Sequence, residues 1–247
     1  MTALLEVQEM RKAYGAIHAV DGVSLSVQAG EILGVIGPNG SGKTTLFNSI
    51  LGQVRPDSGK VLFEGADITG TAPLRLSRLG IGRTFQSLQV FGRLSIRDNL
   101  IAAAQEFSGS APARLFARPD AGLSGRAEEI IALFRLQRVA DKPAGSLSYG
   151  QQKLVDIAMA FMANPRLVLL DEPCAGVNPV LVDELTELLL RLNREHGGTF
   201  IVIEHNMEFV MRLCSRVICM AQGSILAAGT PAEVQADRAV LEAYLGA

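Results

Sequence analysis

The stretch Gly37-Pro38-Asn39-Gly40-Ser41-Gly42-Lys43-Thr44-Thr45 decides the fold of this chain. An apolar run at 32–36, which predicts a buried strand, precedes it, and residues 45–51, which predict a helix, follow it. The glycines let successive backbone N–H groups turn inward and form an anion site, and the following helix adds its positive N-terminal end. Lys43 can reach outer phosphates, and the Thr44 hydroxyl can bind Mg²⁺. The pattern G-x-x-x-x-G-K-[ST] between strand and helix therefore predicts a phosphate-binding loop.

Composition narrows the class of protein. The chain has 247 residues, is 48% apolar and carries a formal net charge of -2, which suits a globular protein with a full core. No basic stripe stands out, so we expect no nucleic-acid partner. No apolar run approaches the roughly 20 residues of a membrane helix, and the N-terminal residues do not resemble a signal peptide. Cys174, Cys214 and Cys219 lack metal or disulfide spacing, which is typical of reduced thiols in a cytosolic protein.

Two carboxylates follow a second apolar run. Residues 167–170 show no alternation of polar and apolar side chains, which predicts a central parallel strand covered on both faces. Asp171 and Glu172 come at its carboxyl end, where α/β proteins bind ligands. We predict that Asp171 contacts Mg²⁺ and that Glu172 polarises a water for attack on a γ-phosphate. The alternative is that both carboxylates simply end the strand in solvent.

The phosphate loop suggests nucleotide-binding or catalytic roles for three more residues. Tyr14 precedes the loop and could stack on a nucleotide base, although alone it would be an ordinary half-buried tyrosine of a hairpin. Gln86 ends a strand predicted at 81–86 and could offer its amide oxygen to Mg²⁺ or to the attacking water. His205 follows an apolar run at 199–203 and could contact the γ-phosphate, although a lone histidine there is more often structural.

The segment Leu147-Ser148-Tyr149-Gly150-Gln151 begins a predicted helix that continues to residue 162. Ser148 with Gln151 three positions later predicts a capping box, which is a purely structural interpretation. A serine and a glycine at a helix N-terminus also make an anion site. The two interpretations are compatible.

The order of elements predicts an α/β fold with a mixed sheet. Alternation at 5–8 and 23–27 indicates a small antiparallel part near the N-terminus. Residues 95–147 predict a helical insertion with a Gly-, Pro- and Ser-rich loop at 108–122, so the core comprises 1–94 and 148–247 of one domain. The remaining predicted elements are strands at 59–64, 217–220 and 225–228, helices at 73–79, 96–107, 126–136, 179–195 and 207–214, and a last short helix after Gly229-Thr230-Pro231.

With these motifs in hand, the chain resembles the ATP-binding subunit of an ABC transporter over nearly its whole length. The phosphate loop, a stacking Tyr14, a Q-loop Gln86, a signature at 147–151, a strand ending in Asp171-Glu172 and a switch His205 follow in the order typical of that family. The resemblance implies the P-loop NTPase fold of ABC ATPases, with an antiparallel β subdomain and an inserted helical subdomain. It also implies hydrolysis of ATP to ADP and phosphate, with ATP and Mg²⁺ bound at the loop.

The same resemblance implies partners. Two ATPase subunits, identical or sister chains, pair head to tail, so that each ATP lies between the phosphate loop of one and the Ser148, Gly150 and Gln151 segment of the other. The surface from Gln86 to Asn99 is the expected docking site of a membrane permease. The chain would then associate with the cytoplasmic face of the inner membrane only through such partners. Neither the transported solute nor the direction of transport follows from the sequence.

Within that family, the chain is most similar to the larger ATPase of branched-chain amino acid importers. The stretches 82–86, 172–179, 203–207 and 243–246 carry this similarity. One departure is Asn178, at a position where the wider superfamily usually has Asp, and the importer branch often shares it. The alternatives are the ATPase of a lipopolysaccharide exporter, a soluble ABC ATPase without a transport role, and a non-catalytic nucleotide-binding module.

Overall fold

The computed structural model describes residues 3–84, 88–104 and 121–245 of the chain. Its strands are β1 (Leu5–Tyr14), β2 (Ile17–Val27), β3 (Ile32–Ile36), β4 (Ser58–Phe63), β5 (Ala66–Asp67), β6 (Ile81–Arg83), β7 (Leu167–Asp171), β8 (Thr199–Ile203), β9 (Arg216–Ala221) and β10 (Ser224–Gly229). Its helices are α1 (Lys43–Ile50), α2 (Pro73–Arg78), α3 (Ile96–Ala104), α4 (Ala121–Leu133), α5 (Tyr149–Ala160), α6 (Pro179–His196), α7 (Met207–Leu213), α8 (Pro231–Ala236) and α9 (Arg238–Leu245), with a 3₁₀ turn at Ala144–Ser146.

The strands form two sheets, as the predicted mixed α/β class requires. The larger sheet has the order β10-β9-β3-β8-β7-β6 and is parallel except for the β9–β10 pair. The smaller sheet, with the order β2-β1-β4-β5, is antiparallel. The small antiparallel part predicted near the N-terminus is thus confirmed.

The middle of the larger sheet is covered on both faces. All residues of β3, β7 and β8 are buried. Alternate side chains of β3 enter different apolar clusters, because Ile32 and Ile36 lie in one while Leu33 and Val35 lie in the other. This explains why the sequence of these strands shows no alternation. Because β3, β8 and β7 run parallel to one another, their carboxyl ends meet at one edge of the sheet.

The prediction was least accurate in the N-terminal strands. They extend over Leu5–Tyr14 and Ile17–Val27, far beyond the predicted 5–8 and 23–27. Their pairing shifts register beyond Val7, and Glu9 has a positive φ of 45°. These β-bulges interrupt the alternation on which the prediction depended.

Three helical or short elements also differ from prediction. The helix predicted at 126–136 begins earlier and ends at Leu133, because Arg135 adopts a left-handed φ of 57°. Strand β5 and helix α9 were not predicted. The helix predicted at 96–107 is described only to Ala104. The strand predicted at 81–86 ends at Arg83, and the last two residues predicted for it, Phe85 and Gln86, lie outside the described residues.

The two ends of the helical segment, at residues 94–96 and 142–144, lie side by side. Ile96 N donates to Lys142 O at 3.3 Å, and Ala144 N donates to Leu94 O at 2.9 Å. A β-bridge joins Ser95 to Pro143 between them. These contacts support an insertion, while its bounds at 95 and 147 stay a prediction. None of the helices in the described ranges combines the length and apolar character needed to span a membrane.

Candidate nucleotide-binding and catalytic site

The predicted phosphate loop connects β3 to α1, as the sequence indicates. Gly37, Gly40 and Gly42 have φ values of 144°, 78° and 102°, which are positive and rare for residues with a side chain. Gly42 is the N-cap of α1, and Lys43 begins the helix. The N–H groups of the first helical turn therefore face the loop, which is the arrangement that binds anions.

Lys43 lies over the loop that precedes it. Its ammonium donates to Gly37 O at 2.8 Å and to Pro38 O at 3.0 Å, and only 6% of the residue is exposed. Burial lowers the pKa of Lys43, while the negative charge of Glu172 is the largest opposing influence. The ammonium group of Lys43 is thus buried and interacts with the carboxylate of Glu172 at the edge of the sheet.

Two of the loop glycines are required by close packing as well as by conformation. A Cβ atom on Gly37 would lie 2.1 Å from Met220 O, and one on Gly42 would lie 2.0 Å from Ala19 O. A Cβ on Gly40 would have no heavy atom within 4 Å. The neighbouring strands therefore approach the loop at its beginning and end and leave its tip open.

The C-terminal part of the chain also contacts the loop, which the sequence analysis missed. Tyr244, in α9, accepts a hydrogen bond at its hydroxyl from Gly37 N at 2.8 Å. Gly223, in the turn between β9 and β10, donates its N–H to Ser41 O at 3.1 Å. No local sequence pattern could have revealed these contacts, because the partners lie 207 positions apart in the first case.

Glu172 and His205 meet at the carboxyl edge of the sheet. Glu172 follows β7, and His205 comes two residues after β8. The distance from Glu172 Oε1 to His205 Nε2 is 3.0 Å, so the two side chains share a hydrogen bond. Glu172 has a φ of 47°, a left-handed conformation that costs about 1 kcal/mol or more in a residue with a side chain. Strain of this kind is concentrated at functional sites.

Asp171 ends β7 and is buried. Its backbone N–H donates to Thr84 Oγ1 at 3.3 Å, and its Oδ2 lies 3.9 Å from Arg83 Nη2. Burial raises the pKa of Asp171, and Arg83 is the largest influence in the opposite direction. Arg83 was quoted in the sequence only as part of a similar stretch, and its contact with Asp171 needed the structure.

The predicted metal ligands include two hard oxygen donors within the described residues. Thr44 is exposed in the first turn of α1, and Asp171 lies at the sheet edge. In the described part of the chain, no group of three or more His, Cys, Asp or Glu side chains could form a metal site. The Thr44 hydroxyl and the Asp171 carboxylate nevertheless suit Mg²⁺, because this ion typically takes one or two protein oxygens and completes its shell with phosphates and water. Gln86, the third predicted ligand, lies outside the described residues.

Tyr14 lies at the end of β1 and is 51% exposed. Lys12 Nζ is 5.5 Å from the centre of its ring. The ring is therefore open to solvent, as a stacking surface for a base must be. Its role in binding stays a prediction.

The signature segment forms the predicted capping box. Ser148 is the N-cap of α5; its hydroxyl accepts Gln151 N at 3.4 Å, and Ser148 N donates to Gln151 Oε1 at 3.1 Å. A Cβ on Gly150 would lie 2.5 Å from Leu181 Cδ1, so the glycine allows α5 to approach α6. Among the described residues, no hydrogen bond joins this segment to the phosphate loop of the same chain. Ser148 is exposed and so accessible to another molecule.

Comparison with known proteins decides the family. Residues 20–175 match the family model described as ABC transporter, and residues 224–247 match the one described as branched-chain amino acid ATP-binding cassette transporter. The high-affinity branched-chain amino acid transport ATP-binding protein BraF of Pseudomonas aeruginosa is 37% identical over 249 residues, covering 98% of each chain. The chain belongs to the ABC transporter family.

Solved structures agree with this ABC ATPase assignment. A crystal structure of the ADP conformation of an ATP-binding cassette has a TM-score of 0.90 at 36% identity and covers 100% of both chains. A dimeric cassette in a post-hydrolysis state, bound to ADP and Pi, has a TM-score of 0.75 at 26% identity and covers 92% of this chain and 98% of that one. The predicted P-loop NTPase fold of the ABC type is thus confirmed. The protein is an ATPase subunit that binds nucleotide and drives transport.

The one departure from the superfamily pattern has a local explanation. Asn178 is the N-cap of α6, and its Oδ1 accepts Leu181 N at 3.0 Å. Asn and Asp are comparable N-caps because either side chain can accept this bond. The helix of this ABC ATPase therefore begins normally with Asn at this position.

We expect Asp156, in α5, to make the stability of the ABC ATPase depend on pH. Its Oδ1 accepts Gln89 N at 3.2 Å, and within the described residues its buried Oδ2 has no hydrogen-bond partner. Burial raises the pKa of Asp156, although the Gln89 bond and the charge of Lys153 oppose this. The folded chain thus binds the proton more tightly, so the free energy of unfolding falls as pH rises through the raised pKa. We expect Asp156→Asn to remove this fall.

The measurement is Tm from about pH 2 to about pH 8, a range that extends below the ordinary pKa of Asp, and it is taken as variant minus wild type. For Asp156→Asn this difference should become more positive as pH rises. Asp57→Asn is the matched control with the opposite sign. Hydrogen bonds from Lys12 Nζ and Ala13 N lower the pKa of Asp57, so its stabilisation is present at neutral pH and is lost as pH falls. For Asp57→Asn the same difference should become more negative. Equal slopes for both variants would contradict the assignment.

Proposed function

We propose that this ABC ATPase powers the transport of branched-chain amino acids through a membrane permease. The observation that carries the proposal is the match of residues 224–247 to the branched-chain amino acid cassette model, together with the full-length similarity to BraF. The same segment contains Tyr244, whose hydroxyl accepts a hydrogen bond from Gly37 N, so it contacts the phosphate loop as well as carrying the family match. The chain would lie at the cytoplasmic face of the inner membrane through its partners.

In the proposed catalytic cycle, Glu172 is the general base that orients and polarises the attacking water. His205, which lies within hydrogen-bond distance of Glu172, would sense the γ-phosphate. Lys43 and the N–H groups of the loop neutralise phosphate charge, and Tyr14 stacks on the base. Thr44, Asp171 and Gln86 would hold Mg²⁺, which would supply neutralisation of phosphate charge.

The proposed second subunit completes each site. The exposed Ser148 and the N-terminal turn of α5 would form a second anion site, and among the described residues no hydrogen bond joins them to the phosphate loop of the same chain. A triphosphate between two such surfaces would join two chains, as the dimeric architecture of a related cassette supports. Ser148, Gly150 and Gln151 would then bind the nucleotide of the partner. Loss of the γ-phosphate would let the pair separate and bias the permease between its states.

The proposed permease-docking surface includes Phe91 and Leu94, which are 55% and 39% exposed. Asn99 is fully buried beneath them and holds their loop, because its side chain accepts Phe91 N at 2.7 Å and donates to Ser95 O at 2.8 Å. An ordered loop that presents large apolar side chains is suited to receiving a partner helix. These residues fall in the range from Gln86 to Asn99.

The test is uptake of labelled leucine, isoleucine and valine by cells that carry either the wild-type chain or Glu172→Gln as their sole copy. We expect the variant to lose energised uptake, while transport of lipopolysaccharide to the outer membrane is unaffected. The reverse pattern would assign the chain to export.

Phe91→Ser should weaken co-purification with the permease and leave ATP binding unchanged. Leu226→Ser, which alters an exposed leucine of β10, is the control and should leave both co-purification and ATP binding unchanged.

A further inference from the structure

Glu204 is a buried carboxylate that lies in the stretch 203–207 and has no role in the site described above. It stands between β8 and His205, and only 3% of it is exposed. A carboxylate removed from water needs hydrogen bonds to offset its desolvation. Three backbone N–H groups donate to it, from Cys174 at 2.7 Å, His205 at 2.8 Å and Asn206 at 3.1 Å. Such charge-assisted bonds are stronger than neutral ones.

These donors come from two different turns of the chain. Oε1 accepts the bond from Cys174, in the turn that follows Glu172, and Oε2 accepts those from His205 and Asn206. The first turn is itself closed by a bond from Ala175 N to Glu172 O at 3.1 Å. One carboxylate therefore joins the turn that carries Glu172 to the turn that carries His205.

The reacting pair lies on the two turns that this carboxylate joins. Glu172 is held in a left-handed conformation with a φ of 47°, which persists only where surrounding contacts maintain it. Its carboxylate meets His205 at 3.0 Å. Glu204 contacts the backbone of both turns, while its own side chain lies in the protein interior.

We propose that Glu204 is a positioning residue for ATP hydrolysis, which sets the distance between Glu172 and His205 by binding both turns. This rests on the catalytic roles proposed for those two residues. Glu204 itself transfers no proton and contacts no nucleotide. Its loss should impair the chemical step and spare nucleotide binding, because the phosphate loop lies on a different connection.

The test is Glu204→Gln, which conserves size but replaces one acceptor oxygen with an NH₂ group that cannot accept an N–H bond. We expect the single-turnover hydrolysis rate of the full chain to fall about 10- to 100-fold, as for a small displacement of catalytic groups, with the Kd for ATP within about 2-fold of wild type. Glu31→Gln is the matched control. Glu31 accepts Gln28 N at 2.7 Å and Arg216 Nε at 2.7 Å just before β3, at the opposite edge of the sheet. It should lower Tm and leave the hydrolysis rate unchanged.

A double variant distinguishes positioning from general destabilisation. Added to Glu172→Gln, Glu204→Gln should cause no further loss of hydrolysis, because the group that it positions is already absent. An unchanged rate in the single variant, a Kd that rises as much as the rate falls, or a full additional loss in the double variant would each overturn the inference. If Glu204→Gln does not fold, Glu204→Asp takes its place with the same expected split between rate and Kd. Full activity in Glu172→Gln alone would instead refute the proposed catalytic role.

Discussion

Replacing Glu172 with Gln is expected to remove nearly all ATP hydrolysis while ATP binding persists. The amide keeps the size of the side chain but cannot accept a proton from the attacking water. Because a positioned general base typically contributes 10²- to 10⁴-fold, we expect the rate to fall by about that factor. The measurement is phosphate release under single-turnover conditions, with the Kd for ATP determined in parallel by titration of a fluorescent nucleotide.

Glu195→Gln is the matched control for this prediction, because Glu195 is an exposed glutamate near the end of α6 and away from the sheet edge. It should hydrolyse ATP at the wild-type rate. In Glu172→Gln the nucleotide should stay intact, and a pair of subunits with ATP trapped between them should accumulate in size-exclusion chromatography. Hydrolysis at the wild-type rate in Glu172→Gln would show that another group is the base.

Gly42→Ala is expected to disrupt the phosphate loop and weaken nucleotide binding. The new Cβ would lie 2.0 Å from the carbonyl oxygen of Ala19, a backbone atom of β2 that cannot rotate away. The φ of 102° adds strain for any residue with a side chain. Relief requires that β2 or the loop move, so we expect a loss of at least about 2 kcal/mol of stability and a Kd for ATP raised at least about 10-fold.

Gly40→Ala is the control, because it shares the positive φ, at 78°, and has no heavy atom within 4 Å of the new Cβ. It should lose only the conformational part, about 1 kcal/mol. Chemical denaturation gives both losses, and calorimetric titration with ATP gives the Kd of the Gly42→Ala variant. If the two variants lost the same stability, close approach of β2 would not be the reason for glycine at position 42.

The sequence was sufficient for the elements whose formation depends on local chemistry. Apolar runs without alternation located β3 and β8 at their observed bounds, and the glycine pattern located the loop between β3 and α1. Asp171, Glu172 and His205 could be predicted as one site, because the carboxyl ends of parallel strands meet at one edge. The capping box at Ser148 was predictable because its partners lie three residues apart. Where bulges shift the register, as in β1 and β2, the same reasoning gave strands that were too short.

By itself, then, the sequence determined the strand, loop and helix that are predicted to bind phosphate, and the acidic residues that end and follow β7, since both are read from residues adjacent in the chain. Only the tertiary structure decided what surrounds them. It placed Tyr244 against Gly37, the Ala19 carbonyl against Gly42, and Glu204 between the turns of Glu172 and His205. Those contacts join segments that are far apart in the chain. They depend on how the two sheets and the C-terminal helices pack against each other, and no local pattern of residue types specifies that packing.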